Sequence, residues 1–146
     1  MVEGESMIRW KIGTLLLGLT LLFPQLASAG TWGSFDTTRI NYAGGVLSNG
    51  DAHDDIRAIL TTKGQNIVDG TPTLTADYLG GVDIFYTSLL DTTDGILSAA
   101  EQIALQDWIA AGGTLIVTAE ANRGAHYNSF LSFYGASEPG CSFLPS

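Results

Sequence analysis

Residues Gly81 to Glu120, GVDIFYTSLLDTTDGILSAAEQIALQDWIAAGGTLIVTAE, decide the fold. Val82–Tyr86 and Thr114–Thr118 are short apolar runs rich in β-branched and aromatic residues. Runs of this kind suit strands covered on both faces, as in a parallel sheet flanked by helices. Between them Ser98 stands three residues before Glu101, the spacing of a capping box. There a Ser hydroxyl and a Glu carboxylate each accept an orphan backbone N–H of the first turn. A helix over 98–111 follows from this start. Its apolar stripe is Ile103, Leu105, Trp108 and Ile109 with Ala100, Ala104 and Ala111, and its polar side is Glu101, Gln102, Gln106 and Asp107. Gly112-Gly113 supplies the positive-φ residue that ends it. Strand, helix and strand this close in sequence form one right-handed parallel βαβ unit.

Upstream of the unit, Gly30–Thr38 reads as a polar, Gly-rich lead-in and Arg39–Tyr42 as a short first strand, left through Ala43-Gly44-Gly45. Ser48, Asn49, Gly50 and Asp51 are N-cap candidates for a helix over Ala52–Lys63, in which Ile56, Ile59 and Leu60 share a face. Asp51, Asp54 and Asp55 sit where the helix dipole favours negative charge. Gly64 closes that helix, Gln65–Val68 forms a second strand, and Asp69-Gly70-Thr71-Pro72 turns the chain. Thr75–Leu79 fits a short helical turn. Downstream, Tyr127–Tyr134 fits a helix, and residues 136–146 form an irregular tail. The expected architecture over 30–135 is one α/β domain: a small open parallel sheet of about four strands, ordered 2-1-3-4, with helices on both faces in flavodoxin-like fashion. Doubly wound sheets usually have more strands. Either the small sheet is complete, or it is the leading part of a longer, truncated architecture.

The 146 residues are 45% hydrophobic and 14% charged, with a formal net charge of −9. Nucleic acid and anionic membrane surfaces are thereby excluded as expected partners, because phosphate binding needs clustered Lys and Arg. Arg39, Arg57, Lys63 and Arg123 are scattered. Residues 1–29 read as a signal peptide: Arg9 and Lys11 precede the apolar run Ile12–Phe23, Pro24 breaks it, and Ala27-Ser28-Ala29 offers a cleavage site. That run is shorter than the roughly 20 residues of a spanning helix. The expected location is secreted or periplasmic, with no membrane association after cleavage; the alternative is an uncleaved segment that stays as a membrane anchor. Cys141 is the only cysteine, so no internal disulfide forms.

The stretch from Arg39 to Tyr134 resembles the class I glutamine amidotransferase-like superfamily, including its ThuA-like members. The resemblance rests on Asp83 within GVDIFY, on the opening Leu97-Ser98-Ala99-Ala100-Glu101, and on Leu105–Val117 with its Gly112-Gly113 stop. Family members carry a cysteine nucleophile in the turn after the following strand. Here that turn is Thr118-Ala119-Glu120-Ala121-Asn122, without Cys or Ser, so amidotransferase chemistry does not carry over.

In an open α/β sheet, ligands sit beyond the carboxyl ends of the strands. The polar residues expected there are Asn41 with Tyr42, Thr87, Ser88, Asp91, Glu120, Asn122 with Arg123, and His126. The bland account makes turns of Asp91 and Asp94, a solvated strand end of Glu120 and a surface residue of His126. Asn49, Asp51, His53 and Asp55 alternate like an oxygen-rich metal loop but lack the Gly and distal Glu of an EF-hand, so helix capping is the simpler account. No metal or cofactor is expected. Trp32, Phe35 and Trp108 are expected in packing. The function expected is that of an exported, non-catalytic domain holding a small polar ligand or a protein partner. The competing expectation is a ThuA-like hydrolase acting on a polar or carbohydrate substrate through Glu120 and His126.

Overall fold

The structure, a computed structural model, describes residues 29–91, 93–119 and 124–137. Four strands form one all-parallel sheet: β1 (Thr31–Ser34), β2 (Asn66–Ile67), β3 (Ile84–Thr87) and β4 (Thr114–Val117), in the spatial order β2-β1-β3-β4. The helices are α1 (Asp54–Thr62), α2 (Ala76–Leu79), α3 (Ala99–Ala110) and α4 (Gly124–Leu131). The α/β class and the 2-1-3-4 order are those expected from the sequence. Order reverses at β1 and β3, because the first crossover runs to one side of β1 and the later ones run to the other.

The central unit forms for the reasons its sequence gives. Ser98 Oγ accepts from the Glu101 N–H (3.3 Å), and Glu101 Oε2 accepts from the Ser98 N–H (2.9 Å), so the capping box is closed. Gly112, at φ +108, ends α3. Trp108 Nε1 donates to the Val82 carbonyl (3.1 Å), fastening α3 to the start of β3.

Strand alternation sorts the two faces. Phe85 points to the face covered by α2, α3 and α4, where it meets Phe35 edge-on at 5.1 Å, and Phe35 in turn meets Phe130 at 6.1 Å. Leu74, Leu79, Leu90, Leu97, Leu105 and Tyr127 complete this core. Tyr86 points to the opposite face, where α1 begins.

Three expectations are corrected. The first strand is Thr31–Ser34, inside the segment read as a lead-in, and Arg39–Tyr42 contributes only an isolated antiparallel bridge, Ile40 to Leu90. Gly33 misled the sequence reading: it is glycine for close approach, since a Cβ there would lie 2.8 Å from Tyr78 Oη and 2.9 Å from Val82 Cγ1. Asp83 anchors this strand, its carboxylate accepting from the Thr31 N–H (2.8 Å). Next, Glu101 faces inward and is buried, whereas Ile103 is 60% exposed. The inward position is set by a partner 62 residues away in sequence, Arg39. Finally, a 3-10 turn over Asp51–His53 precedes α1, and neither is capped by a side chain. Asp51 accepts from Tyr42, and Asp54 pairs with Arg57, so capping is not what these acids do. On α1 only Leu60 is buried, with Ile56 and Ile59 exposed. Beyond β4, α4 starts earlier than expected, and a 3-10 turn over Ser132–Tyr134 completes the expected helical stretch.

Candidate functional site

At the carboxyl ends of β1 and β3, where order reverses, an open sheet normally presents a crevice. Here the two departing loops are laced together. The Asn41 N–H donates to the Leu89 carbonyl (2.8 Å), and the Asp91 N–H donates to the Arg39 carbonyl (2.9 Å). Leu89 adopts φ +52, a left-handed conformation that a side chain this bulky rarely takes. That kink reverses the chain directly after Ser88.

Beneath the lacing lies a buried ion pair. Arg39 Nη1 meets Glu101 Oε1 at 2.6 Å, and the guanidinium also donates to the Pro72 carbonyl (3.0 Å) and the Ile96 carbonyl (3.2 Å) while stacking 4.6 Å over Phe35. Glu101 accepts in addition from the Leu74 N–H (3.1 Å) and the Ser98 hydroxyl (2.8 Å). Burial by itself pushes the Glu101 carboxyl up. The hydrogen bonds from Ser98, Arg39 and Leu74 outweigh it and hold the carboxyl below its ordinary value. One pair thus ties together the loops that follow β1, β2 and β3.

The polar cluster itself sits on the α1 face. His53 Nε2 lies 3.1 Å from Tyr86 Oη and 3.5 Å from Ser88 Oγ. His53 and Ser88 are 5% and 4% exposed, so both belong to the floor of the site. Burial foremost, then the nearby Arg57 charge, lowers the His53 pKa, and the Gly44 backbone offsets part of this. The Gly44 group makes no hydrogen bond of normal geometry to the ring, and Nδ1 is buried without a partner among the described residues. In the same 3-10 turn as His53, Asp51 Oδ1 accepts from Tyr42 Oη (3.1 Å) at the surface, with Tyr42 52% exposed. The loops carrying Tyr42 and Asp51 close tightly: a Cβ on Gly44 would fall 2.0 Å from Asp51 Oδ1, and one on Gly50 would fall 2.0 Å from the Gly44 carbonyl.

The sequence-derived site residues divide accordingly. Ser88 joins the cluster, while Thr87 points to the opposite face, wholly buried, with Oγ1 unpartnered among the described residues. Asn41 is exposed beside the lacing. Asp91 makes the turn of its own loop, its carboxylate accepting from the Thr93 N–H (2.6 Å) and the Asp94 N–H (3.3 Å). His126 lies in α4 near Gly95, where a Cβ would come within 3.1 Å of its ring. Glu120, Asn122 and Arg123 lie outside the described residues, as do Cys141 and residues 1–28 of the signal segment. His53 and Tyr86 are the members that sequence reasoning missed as a pair. The signal available was spacing. His53 stands seven residues before the buried Leu60, the spacing of one face in the helix expected over 52–63, and Tyr86 alternates with the inward Phe85.

Chemically, the cluster offers hydroxyls, a neutral imidazole and one carboxylate. A nucleophile–base pair needs contact within about 2.6–3.2 Å. At 3.5 Å Ser88 is too far, and Tyr86 is nearer to the same nitrogen. Among the described residues no group of three or more His, Cys, Asp or Glu is placed to hold a metal ion, and no helix is long and apolar enough to cross a membrane. No protein-family model matches the chain, and neither a curated protein nor a solved structure shows significant similarity to it.

Proposed function

We propose that this chain is an exported binding domain that holds a neutral, hydroxyl-rich small molecule, of the carbohydrate or polyol class, at the α1 side of the β1–β3 reversal. The observation that carries this is the convergence of Tyr86 Oη and Ser88 Oγ on the buried His53 Nε2, with the exposed Tyr42–Asp51 pair attached to the same 3-10 turn as His53. Hydroxylated ligands are held by acceptors such as a carboxylate and by a flat aromatic face, and Asp51 and Tyr42 supply one of each. A phosphorylated or carboxylated ligand would need a free cation. The nearby Arg57 is engaged by Asp54 and by the Leu47 and Gly50 carbonyls. The geometry supports binding over hydrolysis because Tyr86 occupies the nitrogen that a Ser88 nucleophile would need. Export rests on the Arg9, Lys11 and Ile12–Phe23 pattern, and kinship to the ThuA-like domains on Asp83 and the Leu97–Glu101 and Leu105–Val117 motifs.

Titration calorimetry against neutral mono- and disaccharides and linear polyols tests the proposal. Saturable binding is expected for the wild type, weakened tenfold or more, about 1.4 kcal/mol, in Tyr42→Ala and in Asp51→Ala. Both residues are on the surface, so the fold survives their loss. Absence of binding across the panel, or equal binding by both variants, refutes the assignment.

A further inference from the structure

We infer that the outer edge of β4 is a self-association surface, on which a second copy of this chain adds its own β4 antiparallel about a two-fold axis through Ile116. The Thr114 and Thr118 N–H groups donate to the Asp83 and Thr87 carbonyls at 2.9 Å each. By strand alternation the N–H and C=O groups of Leu115 and Val117 therefore point away from β3, and among the described residues no strand pairs with them. Buried or dry strand edges need partners for such groups, and long exposed apolar edges recruit them. β4 is short, but its Thr-Leu-Ile-Val carries neither charge nor proline to deter pairing.

Two observations select an identical chain as the occupant. One is register. With Ile116 opposite its copy, Leu115 of each strand lies opposite Val117 of the other. Both are the residues with outward-pointing groups, so four N–H···O=C bonds close symmetrically and none is left over. In this register same-face side chains also oppose one another. Ile116, 36% exposed on the α1 face, meets its copy, and the grooves of about 350 Å³ lined by Ile109, Leu115, Val117, Leu131 and Tyr134 become continuous on the other face. The second observation is charge. The chain carries −9 overall, yet no Asp, Glu, Lys or Arg occurs from Trp108 to Ala119 or from Gly124 to Ser137. With only Glu120 and Arg123 charged between Trp108 and Ser137, this is the sparsely charged flank on which two like-charged copies meet least repulsion.

Sedimentation over a wide range of concentrations is expected to show a reversible monomer–dimer equilibrium. Its dimer fraction should rise with ionic strength, as screening relieves the repulsion of the two acidic bodies. Ile116→Lys places a charge against its own copy on the axis and should give a monomer with an unchanged far-ultraviolet spectrum. If that variant does not fold, a second one decides. Ile116→Cys in a Cys141→Ser background should cross-link into a covalent dimer under mild oxidation, since residues in a non-hydrogen-bonded antiparallel pair have Cα atoms about 4.5 Å apart, within disulfide reach. A wild type that stays monomeric, a dimer that survives Ile116→Lys, or an Ile116→Cys variant that fails to cross-link would each overturn the inference. So would a monomer whose Leu115 and Val117 amides resist hydrogen exchange, because another segment would then cover the edge.

Discussion

Replacing Arg39 by methionine removes the charge that binds three loops to the head of α3, and with it the guanidinium stacked over Phe35, while keeping an unbranched apolar stem of similar length. Breaking a buried ion pair from one side costs about 3–5 kcal/mol. The lower end applies here, because Glu101 keeps the Leu74 N–H, the Ser98 N–H and the Ser98 hydroxyl as donors. The Pro72 and Ile96 carbonyls lose their donor as well. We expect a loss of about 3 kcal/mol in urea unfolding at pH 7. That is a drop in melting temperature on the order of 12–24 °C for a domain near 100 residues. The pH dependence gives the sharper check. Glu101 is held below its ordinary pKa in the folded state, so its contribution is complete above the unfolded carboxylate value of about 4.3 and disappears as pH falls through the folded value. Without Arg39 the carboxyl titrates higher and protonates on mild acidification, which relieves the buried charge. The cost of Arg39→Met should therefore be smaller near pH 4 than at pH 7, and adding Glu101→Gln should restore part of the stability at pH 7. A loss under about 1 kcal/mol, or one of equal size at both pH values, would refute the reasoning.

A methyl group at Gly33 would collide with Tyr78 Oη and Val82 Cγ1, so Gly33→Ala should cost about 1–3 kcal/mol in the same assay; a neutral result would show that β1 does not pack this closely on α2. Burial and Arg57 keep the His53 pKa below normal, so between the folded and unfolded values the unfolded chain binds more protons. Stability should accordingly be complete above about pH 6.5 and fall as pH drops below it, and His53→Gln should flatten that slope below about pH 6.5. An unchanged slope would place His53 in water.

The β3–α3–β4 unit was legible because each of its signals is local. The Ser98–Glu101 capping box and the glycine stop act within a few residues, and a right-handed crossover leaves the two strands little choice of partner. The strand order came from the fit of the alternating β and α elements to an open, flavodoxin-like sheet. β1 was not legible, since a glycine chosen for contact with Tyr78 looks in sequence like one chosen for a turn. Glu101 shows both sides of the matter at one position. Its role in the cap is written three residues away, and its burial depends on Arg39, which no periodicity within α3 can reveal.

The site divides in the same way. Sequence placed Ser88 at the end of a strand, but the pairing of His53 with Tyr86 needed the α1 and β3 segments brought together across 33 residues. By itself the sequence determined the elements whose causes lie within one helical turn or one crossover: the capped helix, its stop and the two parallel strands it joins. Tertiary structure alone decided which polar groups are buried and with whom. Desolvating a charge or an imidazole is tolerable only where a distant segment supplies the partner, and that distance is set by packing.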